Sequence, residues 1–117
     1  MKARCLLEQR CTPVELAALK KFNPAAENRR ETGKQPPDRF PSNEDSIGIE
    51  LVGKALPHGD SVPPEKKIYD VVTPQQNESL KWLVLELRKT LKVPLTEVFR
   101  HPDVSRKNPS EAQTAVW

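Results

Sequence analysis

Side chains able to do chemistry are sparse in this chain and lie mostly near its ends. Cys5 and Cys11 enclose five residues in a C-x₅-C spacing. A lone pair of this kind is a poor structural zinc signature, because such sites take four ligands, normally from two half-sites. The pair can instead close into a local disulfide, which would imply an oxidising compartment, or remain as two reduced thiols. His58 sits beside Gly59-Asp60 in a Pro/Gly-rich stretch and reads as a solvated loop histidine. His101 differs in its setting. It follows Val98-Phe99 and precedes Pro102-Asp103-Val104, where an ordered element ends, and Lys107 and Glu111 follow within one loop. An imidazole and a carboxylate there are candidate ligands for Zn²⁺, and the Lys107 ammonium would stabilise charge developing on a scissile carbonyl. The chain carries no Gly-rich phosphate loop, no G-x-S-x-G and no H-E-x-x-H. With no second ligand histidine beside His101, these residues do not assemble a complete catalytic zinc site.

The elements that must position these groups follow from spacing. Thr12-Pro13-Val14-Glu15 reads as a helix start, with Thr12 at the N-cap, Pro13 in the first turn and Glu15 closing a capping box. Val14, Ala17, Ala18 and Leu19 give it an apolar face that Phe22 extends, and Asn23-Pro24 ends it. Residues 23–42 read as loop, punctuated by Gly33, Pro36, Pro37 and Pro41. In Ser46-Ile47-Gly48-Ile49-Glu50-Leu51-Val52-Gly53 the alternation of Ile47, Ile49 and Leu51 predicts a strand, in which Gly48 suggests close approach by a neighbour. Residues 54–70 read as a long loop insertion. Thr73-Pro74-Gln75-Gln76 opens a second capped helix, with Leu80, Leu83, Val84, Leu87 and Leu91 on one face. Arg88, Lys89 and Lys92 lie in its last turns and Val93-Pro94 stops it. Val98-Phe99-Arg100-His101 reads as a short strand or helical turn, and Ser110-Glu111-Ala112 as the opening of a closing helix.

Composition bounds the rest. The 117 residues allow a single domain, and 12 prolines among them, about twice ordinary usage, imply much loop. A mean hydropathy of −0.67 and the lack of a long apolar run argue against a transmembrane span. No classical signal peptide precedes the first helix, which leaves a bacterial cytoplasm or periplasm as the setting to expect. The net charge of +3 comes from interspersed charges, so a solvated surface is the better reading than a nucleic-acid stripe. A polyanion such as a bacterial cell wall stays compatible with it. Apolar sequence is thin, which predicts a small core for a domain of this length.

Three segments, in order, resemble the zinc-dependent N-acetylmuramoyl-L-alanine amidases, the group that includes peptidoglycan recognition proteins and phage amidases. Asn43-Glu44-Asp45-Ser46-Ile47-Gly48-Ile49-Glu50 is similar to that family's central strand, and Val72-Thr73-Pro74-Gln75-Gln76 to its following helix. Phe99-Arg100-His101-Pro102-Asp103-Val104-Ser105-Arg106-Lys107-Asn108-Pro109 resembles the segment holding its second zinc histidine and catalytic lysine. The resemblance implies an α/β fold, a partial amidase-like layered arrangement with a mixed sheet flanked by helices and the leading strands missing. It implies His101 as a zinc ligand, Glu111 as a substitute for the ligand displaced by Pro109, and Lys107 as the charge-stabilising group. The family's first zinc histidine and its water-positioning residue belong to strands that would precede Met1, so the resemblance implies the C-terminal portion of an amidase with an incomplete site. On this reading the chain forms one incomplete domain whose exposed strand edge favours homo- or hetero-oligomers. Its expected partners are peptidoglycan or a full-length amidase. The alternative to an amidase portion is an internally started, non-catalytic product that binds and inhibits or chaperones the full-length enzyme as an immunity protein does, or a module that binds peptidoglycan. Similar amidases serve as phage enzymes and as type VI secretion antibacterial effectors.

Overall fold

The computed structural model describes residues 1–57 and 62–117. Its order is α1 (Arg4–Leu7), α2 (Pro13–Lys20), α3 (Pro24–Thr32), β1 (Ala55–Leu56), β2 (Ile68–Tyr69), α4 (Pro74–Leu91) and α5 (His101–Val104), with 3₁₀ turns at Pro64–Lys66 and Leu95–Glu97. The chain divides into two compact units, the first formed by Met1–Gly48 with Asp103–Arg106 and the second by Ile49–Pro102 with Lys107–Trp117.

The expected α/β fold, a mixed sheet flanked by helices, is overturned. Among the described residues the sheet consists of β1 and β2, paired antiparallel with Ala55 opposite Tyr69 and Leu56 opposite Ile68. The stretch Ile47–Val52 is not a strand. Period-2 alternation makes a strand possible, but a strand also needs a hydrogen-bonding neighbour and a buried face. Here Ile47 and Val52 are 58% and 91% exposed, and a side chain at Gly48 would meet nothing within 4 Å. The close neighbour that Gly48 suggested is not there among the described residues.

Helix α2 forms where its capping box predicts. Thr12 Oγ1 accepts from the Glu15 amide at 3.2 Å, and Glu15 Oε1 accepts from the Thr12 amide at 3.1 Å. Its apolar face does not become core, since Val14 is 80% exposed and no residue of the helix is buried. Phe22 turns away into the left-handed region (φ 43°) and lies under the Arg106 guanidinium at 5.4 Å. Asn23-Pro24 does stop the first helix, but it also starts another. Asn23 Oδ1 accepts from the Ala26 amide at 3.1 Å and Pro24 occupies the first turn, so residues expected as loop form α3.

Helix α1 is too short to stand alone. Its N-terminal amides are satisfied from α3, where Glu27 Oε1 accepts from the Ala3 amide at 2.7 Å and Glu31 Oε1 from the Arg4 amide at 3.2 Å. Glu27 and Glu31 lie one helical turn apart, so both carboxylates project to the same face. Both are buried, and each has a counter-charge: Arg106 on Glu27, and Lys34 on Glu31 at 2.6 Å. Lys34 also reaches Glu15 Oε2 of α2 at 2.9 Å, which joins α2 to the same network. The buried apolar residues of this unit are Ala3, Cys5 and Phe40, so ionic and hydrogen-bonded contacts make up much of its interior.

The second unit is built around α4. Thr73 Oγ1 accepts from the Gln76 amide at 3.1 Å and Gln76 Oε1 from the Thr73 amide at 3.0 Å, forming the predicted capping box. Leu80 and Val84 are buried with Ala115, and Leu51, Val72, Val98, Ala112 and Trp117 pack around them. The helix ends at Lys92, which adopts a left-handed conformation (φ 55°) before Val93-Pro94.

Two outcomes follow. In the first unit, Lys34 and the Thr12 amide hold the Glu15 carboxyl down to about 2, and Arg39 and the Ser42 amide do the same for Asp45. A depressed carboxylate stabilises the folded state above its ordinary range, and that contribution is lost as pH falls from about 4.5 toward 2. Urea midpoints should therefore drop between pH 5 and pH 3, modestly because both groups lie near the surface, and Glu15→Gln should flatten the slope. In the second unit, Leu80→Ala should cost roughly 2–4 kcal/mol, read as a lower unfolding midpoint.

Candidate functional site

The C-terminal segment of the second unit is fixed by polar contacts, and these determine where the candidate residues lie. Asn108 is buried. Its Nδ2 donates to Pro64 O at 2.9 Å and also to Lys67 O, while its Oδ1 accepts from the Ser110 amide at 2.9 Å. Arg100 acts from the other side. Its guanidinium donates to Ala112 O at 3.2 Å and to Ala115 O, and lies 4.5 Å from the Trp117 ring centroid. Asn77 Oδ1 accepts from the Val116 amide at 2.9 Å, and Thr114 Oγ1 from the Val72 amide at 2.8 Å. The expected closing helix does not form. Residues 109–114 make turns, with Ala112 in a left-handed conformation (φ 54°).

This turn brings two of the sequence-selected residues together. His101 Nδ1 lies 3.1 Å from Glu111 Oε2. That carboxylate oxygen is buried and has no hydrogen-bond partner, while the His101 side chain is 52% exposed. A hydrogen carried on Nδ1 would supply the missing donor. Lys107 does not join the pair: it is exposed, with no hydrogen bond or ion pair to any described residue. Cys5 and Cys11 form a disulfide, which resolves their three possible states. His58, with Gly59-Asp60, lies outside the described residues.

The donor set does not fit the zinc that the resemblance implied. A catalytic zinc takes three protein ligands and keeps one position open. His101 and Glu111 provide two, and no group of three His, Cys, Asp or Glu side chains gathers among the described residues.

A second feature was read in the sequence for a different reason. The amides of Ile49, Glu50, Leu51, Val52 and Gly53 have no hydrogen-bond partner among the described residues, and on this run only the Val52 carbonyl is engaged, accepting from Gln76 Nε2 at 2.6 Å. Beside the run is a groove of about 370 Å³ lined by Ile49, Leu51, Leu80, Leu83, Gln75 and Ser79, among others. Two of the alternating residues that predicted a strand, Ile49 and Leu51, help to line this groove. The contacts made by Asn108 and Arg100 could not have been found by motif. Arg100 had one advance signal, its place beside Val98-Phe99, and Asn108, between Lys107 and Pro109, had none.

Comparison with protein-family models, curated proteins and solved structures returns no match for this chain. No helix among the described residues is long and apolar enough to cross a membrane.

Arg100→Leu should free the C-terminal turn, because two carbonyls lose their donor and Trp117 its cation. A loss of roughly 1–3 kcal/mol is expected, with the Trp117 indole resonance shifting while that of Trp82 stays in place.

Proposed function

We propose that this chain is a non-catalytic binding protein that captures an extended segment of a partner along Ile49–Gly53. The observation that carries this reading is the row of unpaired amides beside an apolar groove. Unpaired backbone donors recruit an added strand, while side-chain pockets beside them select its residues. Ile49, Leu51 and Leu83 offer the apolar wall, and Gln75 and Ser79 the polar rim. The partner suggested by the sequence resemblance is a full-length peptidoglycan amidase, which the chain would inhibit or chaperone.

A second reading has one observation in its favour. The approach of His101 to Glu111 suits a chain descended from the C-terminal portion of an N-acetylmuramoyl-L-alanine amidase that retains part of the site. Peptidoglycan is the substrate class in that case. On this reading the isolated chain holds no zinc tightly and releases no muramyl peptides, and the absence of a complex with a full-length amidase at micromolar concentration would favour it over the first.

The binding reading is tested by titrating the ¹⁵N-labelled chain with a full-length amidase. A micromolar or tighter complex is expected, with the amide signals of residues 49–53 shifting and exchanging more slowly. Glu50→Pro removes one of those amides and should weaken the complex at least tenfold while α4 helicity is unchanged. No complex at micromolar concentration, or unaltered exchange at residues 49–53, would overturn it. Co-sedimentation with purified peptidoglycan in place of the amidase would assign the groove to the wall polymer instead.

A further inference from the structure

We infer that the Cys5–Cys11 disulfide is a redox-sensitive fastening on which the first unit depends and the second does not. The bond closes a loop of sequence separation 6 that contains Glu8 and Arg10, and this loop is the seat for residues 37–40. Glu8 Oε1 accepts from Arg4 Nε at 2.7 Å, and Glu8 Oε2 holds Arg10 Nε. From that position Arg10 donates to Asp38 Oδ1 at 3.4 Å and Pro37 O at 3.3 Å, while Arg4 donates to Arg39 O at 3.3 Å. The Arg4 guanidinium also lies 5.7 Å from the ring centroid of Phe40, which is 1% exposed. The two arginines that hold the segment therefore both adjoin bridged cysteines in sequence, Arg4 beside Cys5 and Arg10 beside Cys11.

Beside its ionic network, the first unit has little apolar interior. Its buried apolar residues are Ala3, Cys5 and Phe40, so the bridged Cys5 is itself part of the core. A disulfide acts chiefly by restricting the unfolded chain, and small units with sparse cores depend on it most. The second unit contains neither cysteine and keeps its own cluster of Leu80, Val84 and Ala115.

The chemistry requires a dithiol reductant. Cys5 is buried and Cys11 is partly exposed, which directs attack to Cys11. The reductant's thiolate forms a bond to Cys11 Sγ as the Cys5–Cys11 bond breaks, and Cys5 leaves as a thiolate that takes a proton from water. The second thiolate of the reductant then displaces Cys11 from the mixed disulfide, and Cys11 is protonated in turn. Two electrons pass to the protein and the dithiol ends as a disulfide. Neighbouring Arg4 and Arg10 favour the thiolate leaving groups.

Both tryptophans, Trp82 and Trp117, and Tyr69 fall in the second unit, so its integrity can be read separately by fluorescence. The full chain is compared with and without dithiothreitol by amide hydrogen exchange. Reduction is expected to speed exchange at least tenfold across residues 3–7, 24–32 and 37–40. Exchange in α4 should stay within twofold and tryptophan emission should not move. Removing the reductant under oxidising conditions should restore protection. The double variant Cys5→Ser/Cys11→Ser should reproduce the reduced pattern without any reductant. Retained protection of residues 24–32 and 37–40 after reduction would overturn the inference. Loss of α4 protection, in the reduced chain or in the variant, would overturn it equally, because the two units would then melt as one.

Discussion

The first unit depends on one arrangement: two buried carboxylates, a helical turn apart on α3, receiving the leading amides of α1. Glu27 and Glu31 take Ala3 and Arg4 as donors, and Arg106 and Lys34 balance the charge they carry out of water. A carboxylate in so dry a place is tolerated only when its oxygens are occupied and a cation is close. Each requirement recruits a different part of the chain. Lys34 brings Glu15 and with it α2, Arg106 brings the segment at 103–106 and covers Phe22, and the disulfide ties Cys5 in α1 to Cys11 just ahead of α2. The unit thus substitutes directed polar contacts for the apolar burial that its composition cannot supply.

The second unit is organised by the more usual means. A long capped helix buries a stripe of its face against the C-terminal turns, and the polar groups of those turns are satisfied by Asn77, Thr114, Asn108 and Arg100. Two features of this unit face outward instead. One is the run Ile49–Gly53 with its unengaged amides, and the other is the half-exposed His101, whose Nδ1 lies 3.1 Å from a buried Glu111 oxygen. The amides of the run are left to water, whereas the Glu111 oxygen is an exception to the rule that buried polar groups find partners, and both features bear on function.

How legible this was from sequence depended on how local the signal was. Both capping boxes, at Thr12 and Thr73, were readable because cap, proline and reciprocal side chain fall within a few residues. The start of α3 was readable in principle, yet Asn23-Pro24 serves equally as a stop and a start, and the polar run after it offered no apolar stripe to decide the matter. The stripe of α3 is ionic, formed by Glu27 and Glu31, and hydrophobic periodicity cannot detect it. At Ile47–Val52 the failure was of another kind. Alternation reports what a segment can do, whereas strand formation depends on a neighbour elsewhere in the chain. The candidate site was legible in part. His101 and Glu111 do meet, because a turn shortens the distance between them, but Lys107 points to no partner among the described residues. The resemblance that had joined all three to a layered sheet does not survive at the level of the fold.

The closing of the first unit by Arg106 bears on the order in which the chain can fold. Glu27 and Arg106 are separated by 79 positions, and the Lys2 amide donates to Val104 O at 2.9 Å. Domains ordinarily fold from the N-terminus as they are made. This N-terminal unit cannot be completed in that order, since the cation its buried Glu27 requires is synthesised after all of α4. The second unit closes no earlier, because Leu80 and Val84 of α4 pack against Ala115, which follows Arg106 in the chain. Both units therefore wait for residues near the C-terminus, so folding is held back until almost the whole chain has been made.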